Sequence, residues 1–339
     1  LQSDQDELIA RLENNFSTLQ PPIELRKLLQ IASTAEARTQ GAAFDADVVV
    51  WCDSNSAVFS FEILEARGAP EAYEPETIML QDPSPSQVSN LAYALGQYLR
   101  RDYANAANLL KTIAQREKAV DSKALLQLLR GNSLLFIQEY QSAAQAYQEA
   151  IRSRPRWPAA HHNLGLALMN KEWETYAFEP ALAAFTTTLS LDPDFALAHI
   201  AGGQIWTWLG EVNVAEDPFQ QAELSCQAAL HASDTRILDQ AQVCLTIIQV
   251  ARYNLHLVEG PPSFADTDLR QFATSYWAGP LIAEGLAEYV LWKYSQSPVD
   301  RTRATHELVE ALQASVDDVH LETSRLTHLW AQDALQQLD

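Results

Sequence analysis

The spacing of hydrophobic positions changes along the chain. Leu8, Ile9, Leu12 and Phe16 recur at three- and four-residue intervals, which predicts a helix from Gln5 to Leu19, stopped by Pro21 and Pro22. A second helical stretch is expected from about Ile23 to Gln40, with Gly41 as its end signal. The period then shortens. Val48, Val49, Val50 and Trp51 form a β-branched and aromatic run, Asp53 to Ser56 reads as a turn, and Val58, Phe59, Phe61, Ile63 and Leu64 follow in partial alternation. Residues 47–64 are therefore expected to form a β-hairpin, and residues 1–80 a small α/β module. Gly68, Pro70, Pro75, Pro83 and Pro85 mark a linker after it.

From Ser86 the pattern is helical almost to the end, and it repeats. Leu128, Leu129, Arg130 and Gly131 are followed by Tyr140, Ala143, Tyr147, Ala150 and Pro155. Asn163, Leu164 and Gly165 are followed by Ala181, Phe185 and Pro193. Gly131 and Gly165 are 34 residues apart, the period of a helix–turn–helix repeat. Each part has a physical role. The glycines let the two helices of a repeat approach closely, and Ala143 and Ala150 are small contacts at helix crossings. Tyr147 and Phe185 fill the space between repeats, and the prolines end the second helix.

These residues resemble the tetratricopeptide repeat (TPR) family. Gly131–Pro155 follows that pattern closely, and Pro158–Pro193 follows it with about four extra residues around Thr175–Pro180. A preceding copy, Gln87–Gln115, carries Ala94, Tyr103, Ala106 and Leu110. A following copy carries Gly202, Cys226 and Ala229, with a longer insert around Gly210–Pro218. The resemblance implies a mostly α fold: a TPR-type helical solenoid, a right-handed superhelix, behind the N-terminal α/β module. Repeats are recognisable over residues 87–234, and degenerate helical pairs continue over 235–295, so that residues 86–297 form the repeat domain. Residues 298–339 are expected to cap it, with an apolar stripe of Leu308, Leu312, Val316, Val319, Leu326, Leu329 and Leu335. The alternative for that stripe is a homodimer contact.

Composition narrows the function. The 339 residues carry 23 Lys and Arg against 44 Asp and Glu, a formal charge of −21. Nucleic-acid binding through a basic face is disfavoured, as is docking on an anionic membrane. No apolar run is long enough to span a bilayer. The first residue is Leu1 rather than Met, which predicts a processed product or part of a longer chain. Ala46–Trp51 also resembles an α/β segment found ahead of repeats in some bacterial multidomain proteins. The compartment expected is therefore the cytoplasm or the outer side of a membrane-tethered protein. Cys52, Cys226 and Cys244 form no C-x-x-C pair. Buried small hydrophobes are the simplest reading, and pairing of Cys226 with Cys244 stays open.

Catalytic spacing is absent. There is no G-x-S-x-G elbow, no H-E-x-x-H pair and no phosphate-binding glycine loop. His161 and His162 are adjacent, so on a helix they face different ways, and no cofactor or metal is expected. His161 is read as the inward, packed histidine. The candidate site is instead the concave face lined by the first helix of each repeat. The glycine register places Leu128, Asn132, Leu135, His162, Asn163, Leu166, Met169, His199 and Trp206 there, with Gly203 beside them. One TPR subfamily grips a chaperone's C-terminal carboxylate with two asparagines and several cations. Asn132 and Asn163 match the asparagines, but Leu128, Ala196 and Ile200 stand at the cationic positions. Without charge-assisted bonds that clamp is not expected to work. The sequence thus predicts a non-catalytic protein-interaction scaffold that holds a protein or peptide in its groove. The alternatives are a regulatory or sensory domain of a larger protein and, third, an enzyme.

Overall fold

The computed structural model describes residues 2–17, 33–44, 46–53, 58–64, 72–73, 75, 77–171, 177–232 and 235–255, then 257, 292, 298–317, 335–336 and 338. The described chain divides into two compact units, Leu1–Gly68 with Tyr73–Ala167 and Ala69–Ala72 with Leu168–Asp339. Residues 23–32 of the expected second helix lie outside the described residues, as do residues 258–291 of the degenerate repeats expected over 235–295 and Val319, Leu326 and Leu329 of the C-terminal stripe.

In the first unit, α1 (Gln2–Ser17) and α2 (Thr34–Ala43) precede a three-stranded antiparallel sheet. The hairpin is β1 (Val48–Asp53) with β2 (Val58–Ile63), and Val50 lies opposite Phe61. A third strand, β3 (Thr77–Gln81), pairs with β2 and puts Ile78 opposite Phe61. It lies inside the stretch read from its prolines as a linker. Its alternation is short, yet Ile78 and Leu80 are buried while Met79 and Gln81 face outward. Gly41 does not end α2. A Cβ there would overlap Val49 and Leu64, so the glycine lets α2 lie close on the sheet.

Glu62 of β2 is fully buried but fully served. Thr77 Oγ1 donates to its Oε2 at 2.7 Å and Arg38 Nε at 3.3 Å, while Thr34 Oγ1 and Trp51 Nε1 donate to its Oε1. A buried carboxylate is tolerable only with such partners. It joins α2, β1, β2 and β3 at one point.

The helices that follow come in pairs: α3 (Pro85–Leu99) with α4 (Tyr103–Arg116), then α5 (Val120–Phe136) with α6 (Tyr140–Ser153), then α7 (Pro158–Lys171). Ser84 opens α3 with a capping box to Gln87, and Pro85 sits in the first turn. Phe61, Ile78 and Leu80 of the sheet share one core with Leu91, Leu95 and Tyr98 of α3, Leu110 of α4 and Leu126 and Leu129 of α5. The sheet therefore seals the first helical pair, burying an apolar face that would otherwise meet water.

The second unit contains α8 (Glu179–Leu191), α9 (Ala196–Asn213), α10 (Glu216–Ala229), α11 (Thr235–Asn254) and α12 (Pro298–Asp317). Phe219, Ala222 and Cys226 of α10 pack on Cys244, Ile248 and Ala251 of α11, with Trp206 of α9 alongside. Cys226 and Cys244 form a disulfide between α10 and α11, so the pairing left open by the sequence is made. Arg252 of α11 adds ion pairs to Glu216 and Glu223 of α10.

The turns of the α3/α4, α5/α6 and α9/α10 pairs have one design. Arg101, Gln138 and Val214 hold φ of 64°, 62° and 48°, each two residues before the second helix. The next residue closes the turn: Asp102 N–H donates to Gln97 O, Glu139 N–H to Leu134 O and Ala215 N–H to Gly210 O. This six-to-one bond satisfies carbonyls that a helix end leaves open. These paired helices, with their shared turn, make the fold a TPR-like helical repeat.

Candidate functional site

The site begins with two amides. Asn132 of α5 and Asn163 of α7 are both fully buried. Asn163 Nδ2 donates to Asn132 Oδ1 at 2.9 Å, and the Tyr147 hydroxyl of α6 donates to the same oxygen at 2.8 Å. With its oxygen occupied by two donors, Asn132 directs Nδ2 the other way, to the Tyr73 carbonyl at 3.0 Å. Asn163 Nδ2 also reaches that carbonyl, at 2.9 Å, while its Oδ1 accepts from the Tyr73 N–H at 2.9 Å. Both main-chain groups of one residue are thus read by two side chains. Tyr73 lies in neither helix nor strand, so its backbone is open to such partners.

The side chain of Tyr73 has its own partner. Its ring meets Trp157 edge-on, with centroids 6.4 Å apart and planes at 83°. The Arg154 guanidinium lies 4.5 Å from the Trp157 ring centroid. Trp157 is buried, Tyr73 is half-buried, and Pro75 beyond it is buried. Sequence reasoning found the asparagines but missed Tyr73, Trp157 and Arg154. It read Tyr147 as packing alone, whereas its hydroxyl also orients Asn132.

The remaining candidates distribute as follows. Leu128 and Leu135 lie one turn to either side of Asn132 on α5, and both are buried. On α7, His162, Leu166 and Met169 are buried. His161 is the half-buried histidine of that pair, the reverse of the expectation, and its Nε2 lies 2.9 Å from the Pro155 carbonyl. His199 of α9 makes the same contact with the Pro193 carbonyl, also at 2.9 Å. From 161 to 199 is a step of 38, so His199 corresponds to His161 and not to His162.

The same step makes Gly203, not Gly202, the counterpart of Gly165. A Cβ on Gly131 would overlap the Tyr147 ring, and one on Gly203 would overlap the Cys226 sulfur. A Cβ on Gly202 would touch nothing within 4 Å. Gly203 is therefore a helix-crossing residue rather than a lining one. Trp206 is half-buried against the Phe219 cluster, and Trp208 meets Phe178 edge-on at 5.0 Å. Among the described residues no helix is long and apolar enough to cross a membrane.

No protein-family model matches the chain, and no curated protein matches it. Among solved structures it is similar to a thermophilic TPR protein of Thermus thermophilus, at 16% identity, 66% coverage of this chain, 99% of that one and a TM-score of 0.39. It is also similar to a tetratricopeptide repeat protein of Parabacteroides merdae, at 13% identity, 75% and 98% coverage and a TM-score of 0.46.

Proposed function

We propose that the protein is a non-catalytic interaction scaffold that takes a polypeptide segment on the first helices of its repeats. The observation that carries this reading is the hold of Asn132 and Asn163 on both main-chain groups of Tyr73. Side-chain amides that serve a backbone N–H and C=O together offer a ligand the partners it would have in a sheet, without requiring a particular sequence. Leu128, Leu135, His162 and Leu166, the neighbouring candidates on α5 and α7, are buried. Met169, His199 and Trp206, the remaining sequence candidates, belong to the second unit. A mixture of aliphatic, amide and imidazole groups suits an apolar or aromatic peptide better than a carboxylate terminus. The net charge of −21 favours encounter with basic partners and repels anionic ones.

The test is quantitative capture from the native cell extract with the full chain beside Asn132→Ala/Asn163→Ala, the helical content of both being matched by circular dichroism. The reading expects a protein retained by the wild type and depleted at least tenfold by the variant. Equal retention places the working surface elsewhere.

A further inference from the structure

β1 is an edge of the sheet, and its register shows which of its main-chain groups face outward. Leu64 N–H donates to Asp47 O at 2.9 Å, and Val48 lies opposite Ile63. Positions 47, 49, 51 and 53 therefore exchange hydrogen bonds with β2, while the N–H and C=O of Val48 and Val50 point away from it. The far edge obeys the same alternation. Met79 of β3 lies opposite Ser60, its carbonyl points outward, and Ser122 Oγ of α5 donates to it at 2.6 Å. At β1, among the described residues, no hydrogen bond reaches the outward groups of Val48 or Val50.

Proteins ordinarily blunt such an edge with a charged side chain, a proline or a bulge. Val48–Cys52 contains neither a charged residue nor a proline, and its pairing with β2 runs one to one without a bulge. Val48, Val50 and Trp51 are half-buried, so their flanks still have apolar surface to lose. The stretch is β-branched and aromatic, the composition that pairs best with another strand. Its charge is one-sided. Asp45, Asp47 and Asp53 stand at its two ends in the sequence, and no Lys, Arg or His occurs between Arg38 and Arg67. A second copy of the chain would set the same acidic segment against itself and add another charge of −21.

We propose that β1 is a docking edge for an extended segment of another protein, apolar at its centre and basic at its ends, which adds to the sheet as a further strand. Main-chain bonds to Val48 and Val50 supply the hold, and the lysines or arginines supply orientation and the choice of partner. This surface lies in the α/β module and does not depend on the groove reading, so either can fail alone.

The probe is a fluorescein-labelled peptide of about ten residues, alternating Thr and Val at its centre with lysines at both ends. It is titrated into the full chain and followed by anisotropy at about 0.15 M salt. Val50→Pro removes an outward N–H that β2 does not use, a place where an edge strand tolerates proline. Val50→Thr keeps both the N–H and the branched side chain. The proposal expects saturable binding to the wild type, a loss of about fivefold or more with Val50→Pro and a change of less than about twofold with Val50→Thr. Asn132→Ala/Asn163→Ala retains the peptide. Bound peptide also slows alkylation of the exposed Cys52 thiol on the same strand. A peptide with glutamates in place of its lysines binds roughly tenfold more weakly. Peptides N-methylated on alternate residues keep the test independent of how the variants fold: the set that faces β1 abolishes binding and the other set does not.

Equal binding of the two N-methylated sets, full binding by Val50→Pro, unchanged alkylation of Cys52, or no saturation below about 1 mM overturns the docking edge. Loss on Asn132→Ala/Asn163→Ala instead places the peptide in the groove, which overturns this proposal and leaves the groove reading standing. A glutamate peptide that binds as well as the lysine peptide overturns the basic partner.

Discussion

Asn163 and Asn132, separated by 31 positions, meet through one hydrogen bond of 2.9 Å from Nδ2 to Oδ1. That bond fixes the orientation of both amides, and so decides which atoms face Tyr73. Asn163→Ala leaves the Tyr73 N–H without its acceptor and removes one donor from Asn132. The expected loss is about 1–3 kcal/mol of stability, the cost of an unsatisfied buried polar group. Because the two amides share partners, a double-mutant cycle with Asn132→Ala should show a coupling of about 1 kcal/mol or more. Urea denaturation of the four proteins measures it, and strict additivity would show that the pair does not act as a unit.

Glycine substitutions separate the two candidate registers of α9. Gly131→Ala drives a methyl into the Tyr147 ring, which its hydroxyl bond to Asn132 holds in place. It should cost about 1–3 kcal/mol through overpacking. Gly203→Ala should also destabilise, because the Cys226 sulfur it meets is tied into a disulfide. Gly202→Ala meets nothing and should gain roughly 0.5–1 kcal/mol from reduced backbone entropy. Melting temperatures that rank Gly202→Ala below Gly203→Ala would overturn the 38-residue step.

Much of this fold was legible because helices and repeats advertise themselves locally. The register that Gly131 and Gly165 set and the resemblance to a carboxylate-gripping subfamily single out Asn132 and Asn163. Nothing in the sequence showed that the two amides bond to each other. The failures share a cause. Residues inserted between Lys171 and Glu179 lengthen the next step, and the doublet Gly202-Gly203 then offers two registers of which sequence takes the wrong one. Tyr73 was illegible for a different reason. Its partners lie 59 and 90 positions away, and a single tyrosine among prolines has no period to reveal them. The strand at Thr77–Gln81 was lost to the same prolines.

Val214 is a β-branched residue with φ of 48° and is 56% exposed. Its left-handed backbone is strained by the Cβ, and its side chain has little burial to lose. Val214→Gly should therefore stabilise the protein by about 1 kcal/mol. A lowered denaturation midpoint would mean that the valine makes contacts that outweigh its strain.

The disulfide predicts a thiol count. Denatured without reductant, the protein should expose one reactive thiol, that of Cys52, and after reduction three. Replacing Cys226 and Cys244 together by alanine should cost about 3 kcal/mol, the chain-entropy value for a loop of this length, closed across 18 positions. Three thiols before reduction would show that the pair is not bridged in the isolated protein.

The central claim is that Asn132 and Asn163 grip the backbone of a partner polypeptide. Selection of a random peptide library on the full chain, followed by calorimetric titration of the enriched peptides against wild type and Asn132→Ala/Asn163→Ala, tests it most directly. The account predicts enriched peptides with an aromatic residue that lose at least tenfold in affinity with the double variant. Enriched peptides that bind both proteins equally would contradict it.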